Sequence, residues 1–159
     1  MSVDVISIGE PMIEFTAREK GNLHKAHLFE LGWGGDTSNF AVAVARLGRK
    51  PGYLCRIGDD EFGMSFLEMW KREGVDTSHV IVEKNGFTAA YFISLKNGGE
   101  HDFTYIRRGS AASHLSPRDI DSGYIKSAKV VHTSGITQAI SEDCRAASMK
   151  AVSSAKEFG

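Results

Sequence analysis

The chain has 159 residues, 42% of them hydrophobic and 25% charged, the composition of one globular domain with enough apolar material for a core. Nineteen Lys and Arg against twenty Asp and Glu leave a formal net charge of −1 with no long basic run, which argues against a nucleic-acid partner. Met1-Ser2-Val3-Asp4 lacks a basic leader and no apolar run reaches about 18 residues, so neither signal peptide nor membrane span is expected and the protein reads as cytoplasmic.

In chain order, residues 3–8 form a β-rich run ended by Gly9, and 12–15 a second extended piece after Pro11. Together they read as a buried strand running on into a hairpin, with 27–31 as a further short strand. Residues 39–47 are apolar nearly all round, which predicts a buried helix closed by Gly48. A strand over 51–57 leads into Gly58-Asp59-Asp60, a tight turn whose carboxylate caps the next helix. That helix, 61–73, carries Phe62, Phe66, Leu67, Met69 and Trp70 on one core-facing stripe and stops at Gly74.

Residues 80–82, 88–95 and 101–107 are extended. The last two are joined by Lys96-Asn97-Gly98-Gly99-Glu100, a hairpin signal. A strand over 129–133 ends at Ser134-Gly135, read like Ser110-Ala111 as a strand-end turn, and 141–158 is a long helix with Gly159 as its stop. Strands alternating with helices around a hairpin predict a layered α/β domain with a small β insertion.

Much specialised chemistry is missing from the pattern. There is no P-loop, no Gly-x-Ser-x-Gly elbow and no intact dinucleotide fingerprint, since Gly9 is followed by Glu10-Pro11. Cys55 and Cys144 stand apart as buried or partly buried thiols, and the six histidines have no metal-ligand spacing, so no metal site is expected.

Two segments point to a small-molecule site. Gly34-Gly35-Asp36-Thr37-Ser38-Asn39, followed by Gly48 and Gly58, lets backbone approach a ligand, and a helix starting near Asn39 would aim unpaired N–H groups at ligand oxygens; the plainer alternative is a capped turn. In the hairpin strand, alternation puts Phe103, Tyr105 and Arg107 on one face and Thr104, Ile106 and Arg108 on the other. A phenol beside a guanidinium suits a ligand with hydroxyls and a carboxylate; the alternative is an exposed strand with a solvated Arg.

Gly34 to Ala41 with Gly48 and Gly58 at their spacings resemble the N-terminal signature of the PfkB (ribokinase-like) carbohydrate kinases, with Thr37 where a small residue is usual. Gly9-Glu10-Pro11-Met12-Ile13-Glu14-Phe15, Gly58-Asp59-Asp60-Glu61-Phe62-Gly63, Gly74-Val75-Asp76 and Thr133-Ser134-Gly135-Ile136 are similar to that family too, so the resemblance spans essentially the whole chain. Tyr105-Ile106-Arg107-Arg108-Gly109-Ser110-Ala111-Ala112 looks most like the 2-keto-3-deoxygluconate kinases, and Glu14 stands where ribokinases and fructokinases usually carry a sugar-binding Asp.

The resemblance implies an α/β/α layered sheet with a small β-sheet lid over about 12–31 and 88–108. It implies that residues 1–159 are the N-terminal half of a sugar kinase. Gly35, Asp36, Thr37, Ser38 and Asn39 would hold sugar oxygens, Tyr91 would reach the substrate from a lid strand, and Tyr105, Ile106 and Arg107 would close over it. The catalytic base and the site for ATP and Mg2+ would belong to a C-terminal half, leaving no catalytic residue here and this half alone inactive. A homo-oligomer through the lid is implied as well. A fructokinase, another neutral-sugar kinase, or a non-catalytic sugar-acid binding protein would carry the same features in this stretch.

Overall fold

Two four-stranded sheets meet where the first strand gives way to the second. The structure, a computed structural model, describes residues 3–158; Met1, Ser2 and the stop at Gly159 lie outside the described residues. The main sheet has the order β5-β4-β1-β8 and is wholly parallel, built from β1 (Val5–Ile8), β4 (Pro51–Gly58), β5 (Asp76–Glu83) and β8 (Val130–Thr133). Parallel strands need crossovers, and helices supply them on both faces.

The period of two along each strand sorts the core. In β1, Ile6 and Ile8 join Leu54 of β4 beneath α3 (Ser122–Lys126) and α5 (Glu142–Phe158), in a cluster with Leu115, Ile125, Cys144 and Ala147. Tyr53, Cys55 and Ile57 point the other way, onto Ala41 of α1 (Asp36–Arg46) and onto Phe66, Met69 and Trp70 of α2 (Glu61–Glu73). Each such fully buried large side chain contributes about 1.5–3 kcal/mol relative to exposure. Both cysteines are free and buried, as expected.

The stripe on α2 and its caps agree with the sequence. Asp60 accepts from the N–H of Gly63 at 2.7 Å, and Gly74 closes the helix at φ 78°. In α1 the expectation is corrected: the helix begins at Asp36, not Asn39, and it is not buried all round. Thr37, Ser38 and Ala41 are its buried residues, whereas Ala43, Arg46 and Leu47 are exposed, because one sheet face covers only one side of the helix.

The second sheet has the order β3-β2-β6-β7, from β2 (Met12–Lys20), β3 (Phe29–Gly34), β6 (Ala90–Leu95) and β7 (His101–Ile106). β3 starts two residues later than expected, because its register runs from Met12 opposite Gly34 to Ala17 opposite Phe29. β6 runs parallel to β2 and antiparallel to β7. Ser134 is more than a strand-end turn: its hydroxyl caps a short helix, α4 (Gly135–Ile140), by accepting from the N–H of Thr137. No helix among the described residues is long and apolar enough to cross a membrane.

Candidate functional site

The glycine segment and the hairpin strand meet at the end of β1. A Cβ on Gly34 would fall against the hydroxyl of Tyr91, so only glycine lets β6 lie this close. Gly35, at φ 98° and ψ 121°, lies where an added Cβ would strike the carbonyl of Glu10, the residue that leads from the main sheet to the second. From the other side, Arg107 pairs with Glu10, its Nη2 lying 2.5 Å from Oε2. Its guanidinium carbon lies 5.8 Å from the centroid of the Tyr105 ring, and Tyr105 sits 5.8 Å from Tyr91. Thus Gly35, Tyr91, Tyr105 and Arg107 converge around Glu10 and Glu14.

The remaining predicted residues divide. Thr37 and Ser38 turn inward: the Thr37 hydroxyl is 2.9 Å from that of Tyr53, and the Ser38 hydroxyl accepts from the Trp70 indole at 3.0 Å, so both side chains serve the core and leave only backbone for a ligand. Asp36 is exposed at the helix start and accepts from the N–H of Thr37. Asn39 is exposed and lines a cavity of about 400 Å3 with Trp33, Met69 and Arg72, whose lining includes neither Tyr91 nor Tyr105. Ile106 pairs with Ala90 on the opposite face of the sheet from Tyr105 and is 53% exposed.

Two carboxylates stand at the centre: Glu14, at the place where the resemblance puts a sugar-binding Asp, and Glu10, to which the sequence assigned no role. Glu14 accepts a short hydrogen bond from the Tyr91 hydroxyl and another from Thr16 at 2.9 Å. Burial and then the Glu14 contact push the Tyr91 phenol well up, so it remains a donor. Glu10 is 2% exposed. Burial raises its carboxyl above its ordinary value and Asp36 adds to this, while Arg107 pulls down without cancelling it. The signal that could have found Glu10 is a lone carboxylate between two apolar runs, directly after the glycine that ends a buried strand.

A cavity of about 1070 Å3 lies at the opposite end of the main sheet, among Val3, Lys50, Lys71, Asp76 and Tyr124, and holds none of these groups. Glycine backbone, two phenols and a guanidinium are the better recognition set, because they offer directed donors for hydroxyls and a planar fork for an anion. No cluster of carboxylates, histidines or cysteines able to hold a metal ion occurs among the described residues.

A parallel sheet covered by helices on both faces, with a four-stranded lid springing from its strand ends, defines a ribokinase-like α/β fold. The chain belongs to the pfkB family of carbohydrate kinases, whose model matches residues 3–159. It is 37% identical over 156 residues to a 2-dehydro-3-deoxygluconokinase of Thermoproteus tenax, covering 97% of this chain and 48% of that protein. It is 38% identical over 156 residues to a probable fructokinase-2 of Arabidopsis thaliana, covering 98% of this chain and 47% of that one. The crystal structure of a PfkB protein from Polaromonas superposes with a TM-score of 0.95 at 35% identity, over 99% of this chain and 53% of the other. The chain therefore spans about half the length of the curated relatives it matches.

Proposed function

We propose that this chain is the substrate-binding and lid half of a cytoplasmic, ATP-dependent kinase for a small sugar acid, with 2-keto-3-deoxygluconate the preferred substrate. The observation that carries the reading is the convergence of Arg107, Tyr105 and Tyr91 on the Gly34-Gly35 segment. Arg107 would take the substrate carboxylate, the two phenols its hydroxyls, and the backbone at Gly35 would orient the sugar. Holding the sugar in one pose and excluding water is what this half contributes to the rate.

Mg-ATP, the phosphoryl donor, is assigned with the general base to sequence outside this chain. A solved sugar kinase of Pyrococcus horikoshii in complex with ATP, 30% identical and with a TM-score of 0.86, supports the nucleotide assignment. This chain alone is expected to bind sugar and to transfer no phosphate in a coupled ADP assay.

Fructose phosphorylation is the second reading, favoured by fructokinases of comparable identity. Comparing kcat/KM of the full-length protein on 2-keto-3-deoxygluconate and on fructose decides between them, and a preference for fructose would overturn the sugar-acid assignment. A protein that binds the acid and never phosphorylates it would be a sensor instead.

The lid also supports self-association. On its face away from Tyr91 and Tyr105, Phe29, Leu31 and Ile106 are 37%, 46% and 53% exposed, beside the stacked rings of Phe15 and Phe92. An apolar sheet face of this kind is an association surface. Light scattering of the full-length protein should give an oligomer, and Leu31→Asp should shift it to monomer; a wild type that is monomeric at all concentrations tested would contradict the assignment.

A further inference from the structure

A sugar acid bound at Arg107 would confront that guanidinium with a second carboxylate, since Glu10 already holds it. Glu10 is poorly served as an anion. Arg107 lies close to Oε2 but off the direction a hydrogen bond requires, leaving this buried oxygen with no hydrogen-bond partner. The other oxygen accepts only a long bond of 3.5 Å from Ser110. Buried carboxylates ordinarily accept several good hydrogen bonds, and one that does not is more readily neutralised.

The other groups facing Glu10 do nothing to favour its charge. Asp36 of α1 adds negative charge, Tyr53 of β4 and Cys144 of α5 are within electrostatic reach, and Arg107 is the cation paired with it. Arg108 lines a cavity of about 520 Å3 together with Arg107, His114, Ile140 and Asp143. When a substrate anion arrives, one guanidinium must balance two carboxylates in a site where Asp36 already adds negative charge.

Resting on the sugar-acid reading above, we propose that Glu10 releases Arg107 to the substrate by proton uptake. As the substrate carboxylate takes the guanidinium, the Glu10 carboxylate becomes the neutral acid. The proton comes from solvent, and no other bond is made or broken. Glu10 is thereby a positioning residue: it holds Arg107 toward the site from the main-sheet side and gives up its claim when the ligand binds. Binding of acidic sugars becomes tighter as pH falls, while binding of a neutral sugar does not.

The test is titration calorimetry of 2-keto-3-deoxygluconate into the full-length protein without nucleotide, in phosphate and in Tris at one pH. Wild type should show heats that differ between the buffers by net proton uptake, with affinity weakening by up to about tenfold per pH unit over the titrating range. Glu10→Gln should bind with buffer-independent heat and a flat pH profile. Proton-neutral binding by wild type, which needs no variant to fold, overturns the inference, as does uptake that persists in Glu10→Gln. Binding of fructose with no binding of the acid is a different outcome, and it overturns the sugar-acid reading together with this inference.

Discussion

Replacing Gly35 by alanine is expected to destabilise the protein by about 1–3 kcal/mol through its backbone alone and to weaken sugar binding in the same variant. At φ 98° and ψ 121° the residue sits where side-chain-bearing residues are strained. The added Cβ would also strike the Glu10 carbonyl and lie 3.0 Å from the Cα of Pro11. These are main-chain atoms, so relief requires moving the link between the two sheets. Moving that link displaces Glu10 and, with it, the guanidinium of Arg107.

Gly99→Ala separates strain from displacement. Gly99 has φ 86° in the turn between β6 and β7, and a Cβ there meets nothing within 4 Å. Urea denaturation should show both variants destabilised, and the KM for sugar in the full-length kinase should rise only for Gly35→Ala. A Gly35→Ala protein with wild-type KM would remove the glycine segment from the site.

The parts of the structure legible beforehand are those set by short-range chemistry. The helix Glu61–Glu73 carries its start, its face and its stop in Asp60, Phe66, Trp70 and Gly74. The turn Lys96 to Glu100 closes the hairpin, with the Lys96 N–H donating to the Glu100 carbonyl at 2.8 Å. Placement of Phe103, Tyr105 and Arg107 on one face follows from alternation alone, and the Arg107 to Tyr105 contact agrees with it. α3 and α4, at five and six residues, are too short for a period of 3.6 to show.

Other features were hidden because distant partners decide them. Asp36, Thr37 and Ser38 read as loop residues, yet they form the first turn of α1, since Tyr53 and Trp70 supply partners for the Thr37 and Ser38 hydroxyls inside the core. Asp76 to Ser78 are polar and still extend β5, because pairing with β4 outweighs local preference. The role of Glu10 depends wholly on Arg107 and Ser110, which no local pattern brings near it.

Arg107→Ala should remove the group on which recognition of an acidic substrate turns. A hydrogen bond to a charged partner contributes about 1.5–3 kcal/mol, so kcat/KM on 2-keto-3-deoxygluconate should fall by about 10- to 150-fold in the full-length kinase, with any turnover of fructose much less affected. Arg107→Lys should recover only part of the loss, because a point charge replaces a planar fork. Unchanged kinetics on the acid would take Arg107 out of the site.

The same variant has a stability signature of definite sign. Stranding an ionised buried carboxylate costs about 3–5 kcal/mol, but Glu10 can avoid this by holding a proton. With Arg107 gone, the largest influence opposing burial disappears, and the folded-state pKa of Glu10 rises further above its unfolded value. The folded protein then binds the extra proton between those two values, so its stability is greatest below the unfolded pKa and declines as pH rises through the window. Arg107→Ala should therefore lose more stability than wild type as pH rises above the ordinary carboxylate range in urea titrations, and Glu10→Gln/Arg107→Ala should abolish the difference. Parallel pH curves for wild type and Arg107→Ala would mean that the guanidinium does not govern the charge on Glu10.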